Sequence, residues 1–105
     1  MVKLLLAFTL GLSVGIVPAQ GGETEIIRLV RQDCGACHGM TLQGGLGKPL
    51  TREALAGQSV EALAVIILHG KHGTAMPPWK TLLTEAKAHW IAERLLQGFP
   101  EEARR

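Results

Sequence analysis

The sequence predicts an all-α fold for a single small domain. Apolar residues recur at intervals of three and four positions in three separate segments, which is the spacing of one face of a helix. No segment alternates between apolar and polar residues with the period of two that is typical of a half-buried strand. Glycine and proline are concentrated between the three segments, which favours irregular loops there. We therefore expect three to four helices joined by loops and essentially no β-sheet.

Residues 1–19 have the composition of a secretory signal peptide. A positively charged start precedes an apolar run from Leu4 to Val17, and Ala19 ends a stretch of small residues suited to cleavage. The apolar run is shorter than the roughly 20 residues that a transmembrane helix requires. We predict that residues 1–19 are removed on export and that residues 20–105 form one domain. Retention of the leader as an uncleaved membrane anchor is the alternative.

The charges of the chain nearly balance. It has 11 basic and 9 acidic side chains, and one basic residue, Lys3, belongs to the predicted leader. There is no basic block of the kind that binds nucleic acid, so the sequence argues against that class of partner. The only cysteines are Cys34 and Cys37, and both belong to one motif. A separate disulfide within the chain is therefore excluded.

The first helical pattern opens at Thr24, after a polar lead over Gln20–Glu23, and Gly39 is placed to end it. Both cysteines fall on its apolar face, near the C-terminal end. The apolar face consists of Ile26, Ile27, Val30, Cys34 and Cys37.

A glycine-rich loop follows over Met40–Gln58, with one short helix that Thr51 caps and Gly57 ends. The density of glycine suggests a loop wrapped closely around a flat ligand. Ser59 is placed to cap the second long helix, and Gly70 ends it. The apolar stripe of this helix consists of Val60, Leu63, Ala64, Ile67 and Leu68.

A loop stiffened by two prolines spans Lys71–Lys80 and leads to the last helix. Thr84 begins that helix, and Gly98 ends it. The final residues, Glu101–Arg105, are predicted to fray. The apolar stripe of the last helix consists of Ala88, Ile91, Ala92 and Leu95.

The segment Cys34-Gly35-Ala36-Cys37-His38 matches the C-x-x-C-H signature of covalent c-type haem attachment. Two thiols three positions apart lie on nearly the same side of a helical turn, so both can add to the vinyl groups along one edge of a porphyrin. His38 follows the second thiol directly and can bind the iron as the proximal ligand. One covalently bound haem c is therefore the predicted cofactor, and it would also enlarge the core of a small domain.

A six-coordinate iron needs a second donor on the face opposite His38. Met76 is the favoured distal ligand, because Pro77 and Pro78 reduce the entropy lost in holding its loop over the iron. A neutral thioether also raises the reduction potential relative to a second histidine. Met40 is disfavoured, because it lies two residues after His38 and would have to cross the ring. The alternative donors that remain open are His69 and His72.

The second ring nitrogen of His38 needs a hydrogen-bond acceptor that fixes the tautomer and the orientation of the imidazole. A backbone carbonyl in the turn after Gly47 is the expected acceptor, and the carbonyls of Lys48 and Pro49 both remain open. Trp79 is placed either to cover the haem edge near a propionate or to pack in the core.

Two other classes of site use a C-x-x-C motif. In a zinc site, Cys34, Cys37 and His38 would be three ligands and His69 or His72 the fourth, but adjacent ligands make a cramped tetrahedron. A thioredoxin-like redox motif requires a βαβ context, which the sequence lacks. Haem attachment is therefore the interpretation that we prefer.

These residues together resemble a class I cytochrome c over nearly all of the chain after the leader. More narrowly, the runs from Cys34 to Gly47 and from Gly73 to Trp79 are similar to the cytochrome c-55X group. These are small periplasmic monohaem cytochromes found with the dissimilatory haem nitrite reductase. The resemblance implies a class I fold in which the first and last helices cross near the haem. Arg94 stands where an aromatic residue is common in the family, and Trp90 is the expected substitute.

The resemblance implies a periplasmic, monomeric electron carrier rather than an enzyme. Its partner would be the dissimilatory haem nitrite reductase, as electron acceptor, or the proteins that mature the d-type haem of that reductase. A small haem enzyme with an open iron site is a further alternative. The predicted leader agrees with the motif, because c-type haem is attached after export, and no stable membrane insertion is expected once the leader is cleaved. The side chains expected to steer an acidic partner are those of Lys48, Lys71, Lys80 and Lys87.

Overall fold

The computed structural model describes Gly11 and residues 20–102, so the predicted leader lies outside the described residues except for Gly11. The described part is helical and contains no strand, which confirms the predicted all-α class. The helices are α1 (Gln20–Leu29), α2 (Gly35–His38), α3 (Val60–His69) and α4 (Glu85–Gln97), with a π-helical turn (Val30–Cys34) between α1 and α2.

The first helix begins at Gln20, so the prediction of a polar lead before Thr24 is wrong. The first turn of this helix contains Glu23, whose negative charge suits the positive end of the helix dipole. A first turn without apolar residues gives no hydrophobic spacing, so the sequence pattern cannot mark where this helix starts. Gly39 ends the helix as predicted, with φ +90°.

A π-helical turn interrupts this first helix over Val30–Cys34, which the sequence analysis did not predict. A π-helical turn contains one more residue than an α-helical turn, and an inserted residue rotates the side chains that follow by about 100° around the axis. Val30 is fully buried, whereas Cys34 is half-buried and Cys37 is exposed. The apolar face predicted for a straight helix is therefore broken at this turn.

In the loop between α2 and α3, residues 51–57 form hydrogen-bonded turns instead of the predicted short helix. Thr51 caps the first turn as expected, because its hydroxyl accepts a hydrogen bond from Ala54 N at 3.2 Å and its carbonyl accepts one from Leu55 N at 3.0 Å. Gly57, with φ +86°, lies at the end of this segment, and Gln58 N donates to the Leu55 carbonyl across it at 3.1 Å.

Side-chain caps begin both long helices at the predicted residues. Ser59 Oγ accepts a hydrogen bond from Ala62 N at 3.1 Å at the start of α3. Thr84 Oγ1 accepts one from Lys87 N at 3.2 Å at the start of α4. Each cap satisfies an amide that has no partner within its own helix, and such a cap contributes about 1 kcal/mol.

The core lies between α3 and α4 and extends to the first helix. All four apolar residues predicted for α4 are buried, and Ile91 is 1% exposed. In α3 the central residues of the stripe are buried, whereas Val60 and Leu68 are half-buried at its edges. The buried hydrophobic residues of the described part are Val30, Leu42, Leu55, Leu63, Ala64, Ile67, Leu83, Ala88, Ile91, Ala92 and Leu95.

Glu102, the last described residue, is bonded to the first helix, so the prediction that Glu101–Arg105 fray is wrong for this residue. Arg28 Nε and Gln32 Nε2 each donate a hydrogen bond to Glu102 Oε1 at 3.2 Å. The last residues, 103–105, lie outside the described part. Within the described ranges, no helix is long and apolar enough to cross a membrane.

Candidate haem site

The two cysteines lie where the π-helical turn passes into α2. Both are free thiols; Cys34 packs half-buried against the core, and Cys37 is exposed. Burial, and after it the negative charge of Asp33, raises the pKa of the Cys34 thiol to about 11. Cys34 is therefore a neutral thiol at neutral pH, and no charge is placed against the apolar core. The spacing and helical setting position the two cysteines for C-x-x-C-H attachment.

His38 ends α2, and its ring is oriented by the following loop. Its Nδ1 lies 2.7 Å from the carbonyl oxygen of Lys48. Because a carbonyl oxygen can only accept, Nδ1 carries the hydrogen and the lone pair of the neutral ring is on Nε2. The acceptor that the sequence left open is thus Lys48 and not Pro49. An imidazole of this tautomer has the free nitrogen that an iron ligand needs.

The loop after the motif folds back onto it through backbone hydrogen bonds. Gly44 N donates to the His38 carbonyl at 2.8 Å, and Gly47 N donates to the Cys37 carbonyl at 2.7 Å. Carbonyls in the last turn of a helix have no partner within that helix, so these bonds satisfy groups that would otherwise need water. The loop and the C-x-x-C-H motif are therefore one local unit.

A glycine is required at position 47 because the imidazole lies against it. A Cβ on Gly47 would lie 2.7 Å from His38 Nδ1 and 2.8 Å from its Cε1, closer than real Cβ contacts. The high glycine content suggested a loop that wraps a flat ligand, but this glycine lies against the ring of His38. The glycine content predicted that this loop passes close to another group, but it did not identify that group as the His38 ring.

Met76 lies half-buried in the loop after α3, and hydrogen bonds within the loop determine its backbone position. Met76 N donates to Thr74 Oγ1 at 3.3 Å, and the Met76 carbonyl accepts from Lys71 N at 3.4 Å. The Thr74 hydroxyl donates in turn to the Lys71 carbonyl at 2.7 Å. A Cβ on Gly70 would lie 2.7 Å from the Met76 carbonyl oxygen, so the loop passes directly over the end of α3.

The far end of the Met76 loop is also attached to α3. Trp79 N donates to the Ile67 carbonyl, and Lys80 N donates to the Leu68 carbonyl, both at 3.1 Å. The indole of Trp79 is half-buried against the core, which agrees with the packing alternative. The two prolines predict a stiff loop, but the attachment of both its ends to the same helix depends on bonds between residues that no local pattern indicates.

The alternative ligands differ from Met76 in their surroundings. His69, His72 and Met40 are all exposed, and Met40 is 61% exposed. Within the described residues, no three histidine, cysteine, aspartate or glutamate side chains lie together as a metal site would require. The zinc alternative therefore gains no support from the structure.

The residues present fit a haem c. The observation that shows this is the donor set: two free thiols at helical spacing, and an imidazole whose Nδ1 hydrogen is committed to the Lys48 carbonyl. Comparison with known proteins agrees. The family described as "Cytochrome C oxidase, cbb3-type, subunit III" matches residues 22–93.

Individual relatives match over most of the chain. Cytochrome c55X of Paracoccus denitrificans is 52% identical over 94 residues, which cover 90% of this chain and 91% of the relative. The solved structure of the c-type cytochrome NirC has 44% sequence identity and a TM-score of 0.73, and the match covers 76% of this chain and 94% of that one. Dihydro-heme d1 dehydrogenase of Pseudomonas aeruginosa is 37% identical over 93% of this chain but over only 20% of its own length.

The helical fold, the attachment motif and these matches define a c-type cytochrome, a class whose members bind haem c covalently. Within that class, the chain belongs to the cytochrome c55X family.

Proposed function

We propose that this chain is an electron carrier in which His38 is the proximal and Met76 the distal iron ligand. Thioethers from Cys34 and Cys37 attach the haem, which when bound supplies a one-electron ferrous–ferric couple. The observation that supports the proposal best is the His38–Lys48 hydrogen bond of 2.7 Å, because it fixes the tautomer that leaves Nε2 as the ligand atom. The bonds at both ends of the Met76 loop support a distal ligand that stays in place during electron transfer.

The charge distribution supports an acidic protein partner. Residues 34–51, which include the attachment motif, contain no acidic side chain, and neither do residues 62–84, which include Met76. The lysines of these two segments, Lys48, Lys71 and Lys80, are all exposed. Exposed lysines of this kind accelerate encounter with a negatively charged partner, and high salt removes that effect.

The partner that we propose is the dissimilatory haem nitrite reductase, to which the carrier would donate electrons in the periplasm. The similarity to cytochrome c55X and to NirC supports this choice. The proposal includes cleavage of residues 1–19 as a signal peptide after export.

A second candidate role is in maturation of the d-type haem. The match to dihydro-heme d1 dehydrogenase, 37% identical over 93% of this chain, favours it. A dehydrogenase removes two electrons and two protons from its substrate, and a monohaem cytochrome can accept those electrons one at a time. In this role the haem of the chain would start in the ferric state, and electrons from the substrate of the dehydrogenase would reduce it to the ferrous state.

The ligand proposal predicts that Met76→Ala opens the iron site. The ferrous wild-type protein should bind carbon monoxide slowly, because a bound thioether must first leave. The variant should bind it rapidly and have a lower reduction potential. The matched control is Met40→Ala, which removes the same side chain from an exposed position and should leave both properties unchanged. Rapid binding of carbon monoxide by the wild type would contradict the carrier and favour an enzyme with an open site.

The partner proposal is tested by mixing reduced protein with nitrite reductase and nitrite and following the loss of the ferrous absorption. Oxidation within the turnover time of the reductase, slowed by added salt, supports the donor role. In a parallel experiment, oxidised protein is mixed with the dehydrogenase and dihydro-heme d1. Reduction in this mixture, without oxidation in the first, would replace the donor role by the maturation role.

A further inference from the structure

The first helix has a contact with the end of the chain that the roles above do not use. We define the residues Phe99–Glu102, which follow α4 and return along the first helix, as the C-terminal strap. Arg31 donates to the strap through Nη2 to the carbonyls of Phe99 and Pro100, both at 2.8 Å, and through Nε to the Pro100 carbonyl at 3.0 Å. One guanidinium group thus binds two consecutive backbone carbonyls.

We propose that Arg31 is a positioning residue for haem attachment. By bonding the π-helical turn to the C-terminal strap, Arg31 fixes the conformation of that turn and, with it, the position of the Cys34 side chain. Arg31 is the second residue of the turn that Cys34 ends. A π-helical turn is a rare conformation that persists only where surrounding contacts favour it. Three hydrogen bonds from within the turn to a separate segment are contacts of this kind.

Aromatic side chains connect the same guanidinium to the last helix. The Arg31 guanidinium lies 5.6 Å from the centre of the Phe99 ring, and Phe99 meets Trp90 of α4 edge to face at 6.2 Å. Arg94, in the same helix as Trp90, places its guanidinium over the Trp90 ring, 5.1 Å from the ring centre. The Trp90 that was expected to substitute for a family aromatic thus forms part of the connection between the first and last helices.

The bonds from Arg31 require an arginine. Its planar guanidinium presents several N–H groups at fixed angles and can bind two carbonyls at once, whereas a lysine ammonium is a single point donor. Two neighbouring residues of the first helix, Arg28 and Gln32, bind Glu102 at the end of the strap. The Arg28–Glu102 ion pair is about one-third exposed, so it contributes less than the bonds to the carbonyls.

The test measures backbone amide exchange by NMR in the haem-loaded protein. Arg31→Ala should accelerate exchange of the amides of residues 30–38 by more than threefold relative to those of α3. Arg31→Lys retains the charge but not the planar group, so it should accelerate the same amides by a smaller factor that still exceeds threefold. If Arg31→Ala does not fold, Arg31→Lys decides the question alone.

The matched control is Arg52→Ala. Arg52 lines the same cavity as Arg31 but pairs with its exposed neighbour Glu53, so its removal deletes a charge without deleting one of the hydrogen bonds to the strap described above. Relative exchange of residues 30–38 should then stay within threefold of the wild type. A spectroscopic readout separates positioning from general stability: Arg31→Lys should change the Soret circular dichroism of the haem, and Arg52→Ala should not. The proposal would be overturned if amide exchange in the Arg31 variants accelerated equally in α3 and in residues 30–38. It would also be overturned if exchange accelerated in neither segment.

Discussion

Two consecutive residues of the loop after the attachment motif contact the ring of His38. The Lys48 carbonyl accepts the hydrogen of Nδ1, and Gly47 lies against the same edge of the ring. The first contact selects the tautomer, and the second leaves the ring little room to tilt. Ring orientation is therefore determined by the two consecutive residues of one loop.

A methyl group at position 47 should displace the imidazole. In Gly47→Ala the new Cβ would lie 2.7 Å from Nδ1, so the ring or the loop must shift. Overpacking of this kind costs about 1–3 kcal/mol. We expect the free energy of unfolding of the haem-loaded protein to fall by that amount and its visible spectrum to change.

Gly22→Ala is the control for this variant, because a Cβ there would meet nothing within 4 Å. Its stability should be unchanged or slightly raised, since alanine favours a helix more than glycine does. Chemical denaturation of both proteins measures the difference. Equal stability of the two variants would show that the contact between Gly47 and His38 has no effect.

At the scale of elements, the end of α3 and the Met76 loop are one structural unit. Gly70 ends the helix with φ +73°, and a Cβ on it would lie 2.7 Å from the Met76 carbonyl oxygen. The residues after Pro78 return to bond the last turns of the same helix. The position of Met76 therefore depends on how α3 ends as well as on the prolines.

Gly70→Ala should loosen the Met76 loop. Alanine at positive φ costs about 1–2 kcal/mol, and its Cβ would also displace the Met76 carbonyl. If Met76 is the distal ligand, carbon monoxide should bind the ferrous variant faster than the wild type, because the thioether leaves the iron more often.

Gly98→Ala is the control that separates backbone strain at positive φ from displacement of the Met76 carbonyl. Gly98 ends α4 with φ +97°, but a Cβ there would meet nothing within 4 Å. It should lose a similar amount of stability without a change in the rate of carbon monoxide binding. If both variants bind carbon monoxide at the wild-type rate, the contact at Gly70 does not control the Met76 loop.

At the scale of the whole molecule, the core is small, and we expect the covalently bound haem to enlarge it. The described part has three helices of ten or more residues, and the largest of its fully buried side chains are those of Ile91 and Val30. A domain of this size buries a marginal amount of apolar surface on folding. A ligand attached covalently at two points adds apolar surface to the core and cannot be lost by dissociation.

Removing the two thiols should therefore unfold more than the site. In the double variant Cys34→Ser, Cys37→Ser no thioether can form, and we expect lower helix content and no cooperative thermal transition by far-ultraviolet circular dichroism. The control is the wild-type chain produced without haem, which should behave in the same way. A cooperative transition near that of the haem-loaded protein in either sample would contradict the proposed role of haem in the core.

Short-range patterns predicted most of the fold. Helical spacing located the three long helices, and Ser59 and Thr84 could be identified as caps because a cap depends on residues within one turn. The attachment motif was also readable, since all of its groups lie within residues 34–38. These features were predictable because neighbouring residues along the chain are also neighbours in space.

Contacts between distant segments were decided only by the tertiary structure. Every residue has a carbonyl, so the path of the loop alone selects Lys48 as the acceptor for His38. The bonds from Arg31 to Phe99 and Pro100 join segments 68 and 69 positions apart, and no local pattern indicates them. The π-helical turn is of the same kind, because spacings of three and four residues accommodate one extra residue without a visible break. Sequence alone thus determined the chemistry of the haem site, and tertiary structure determined the orientation of its side chains.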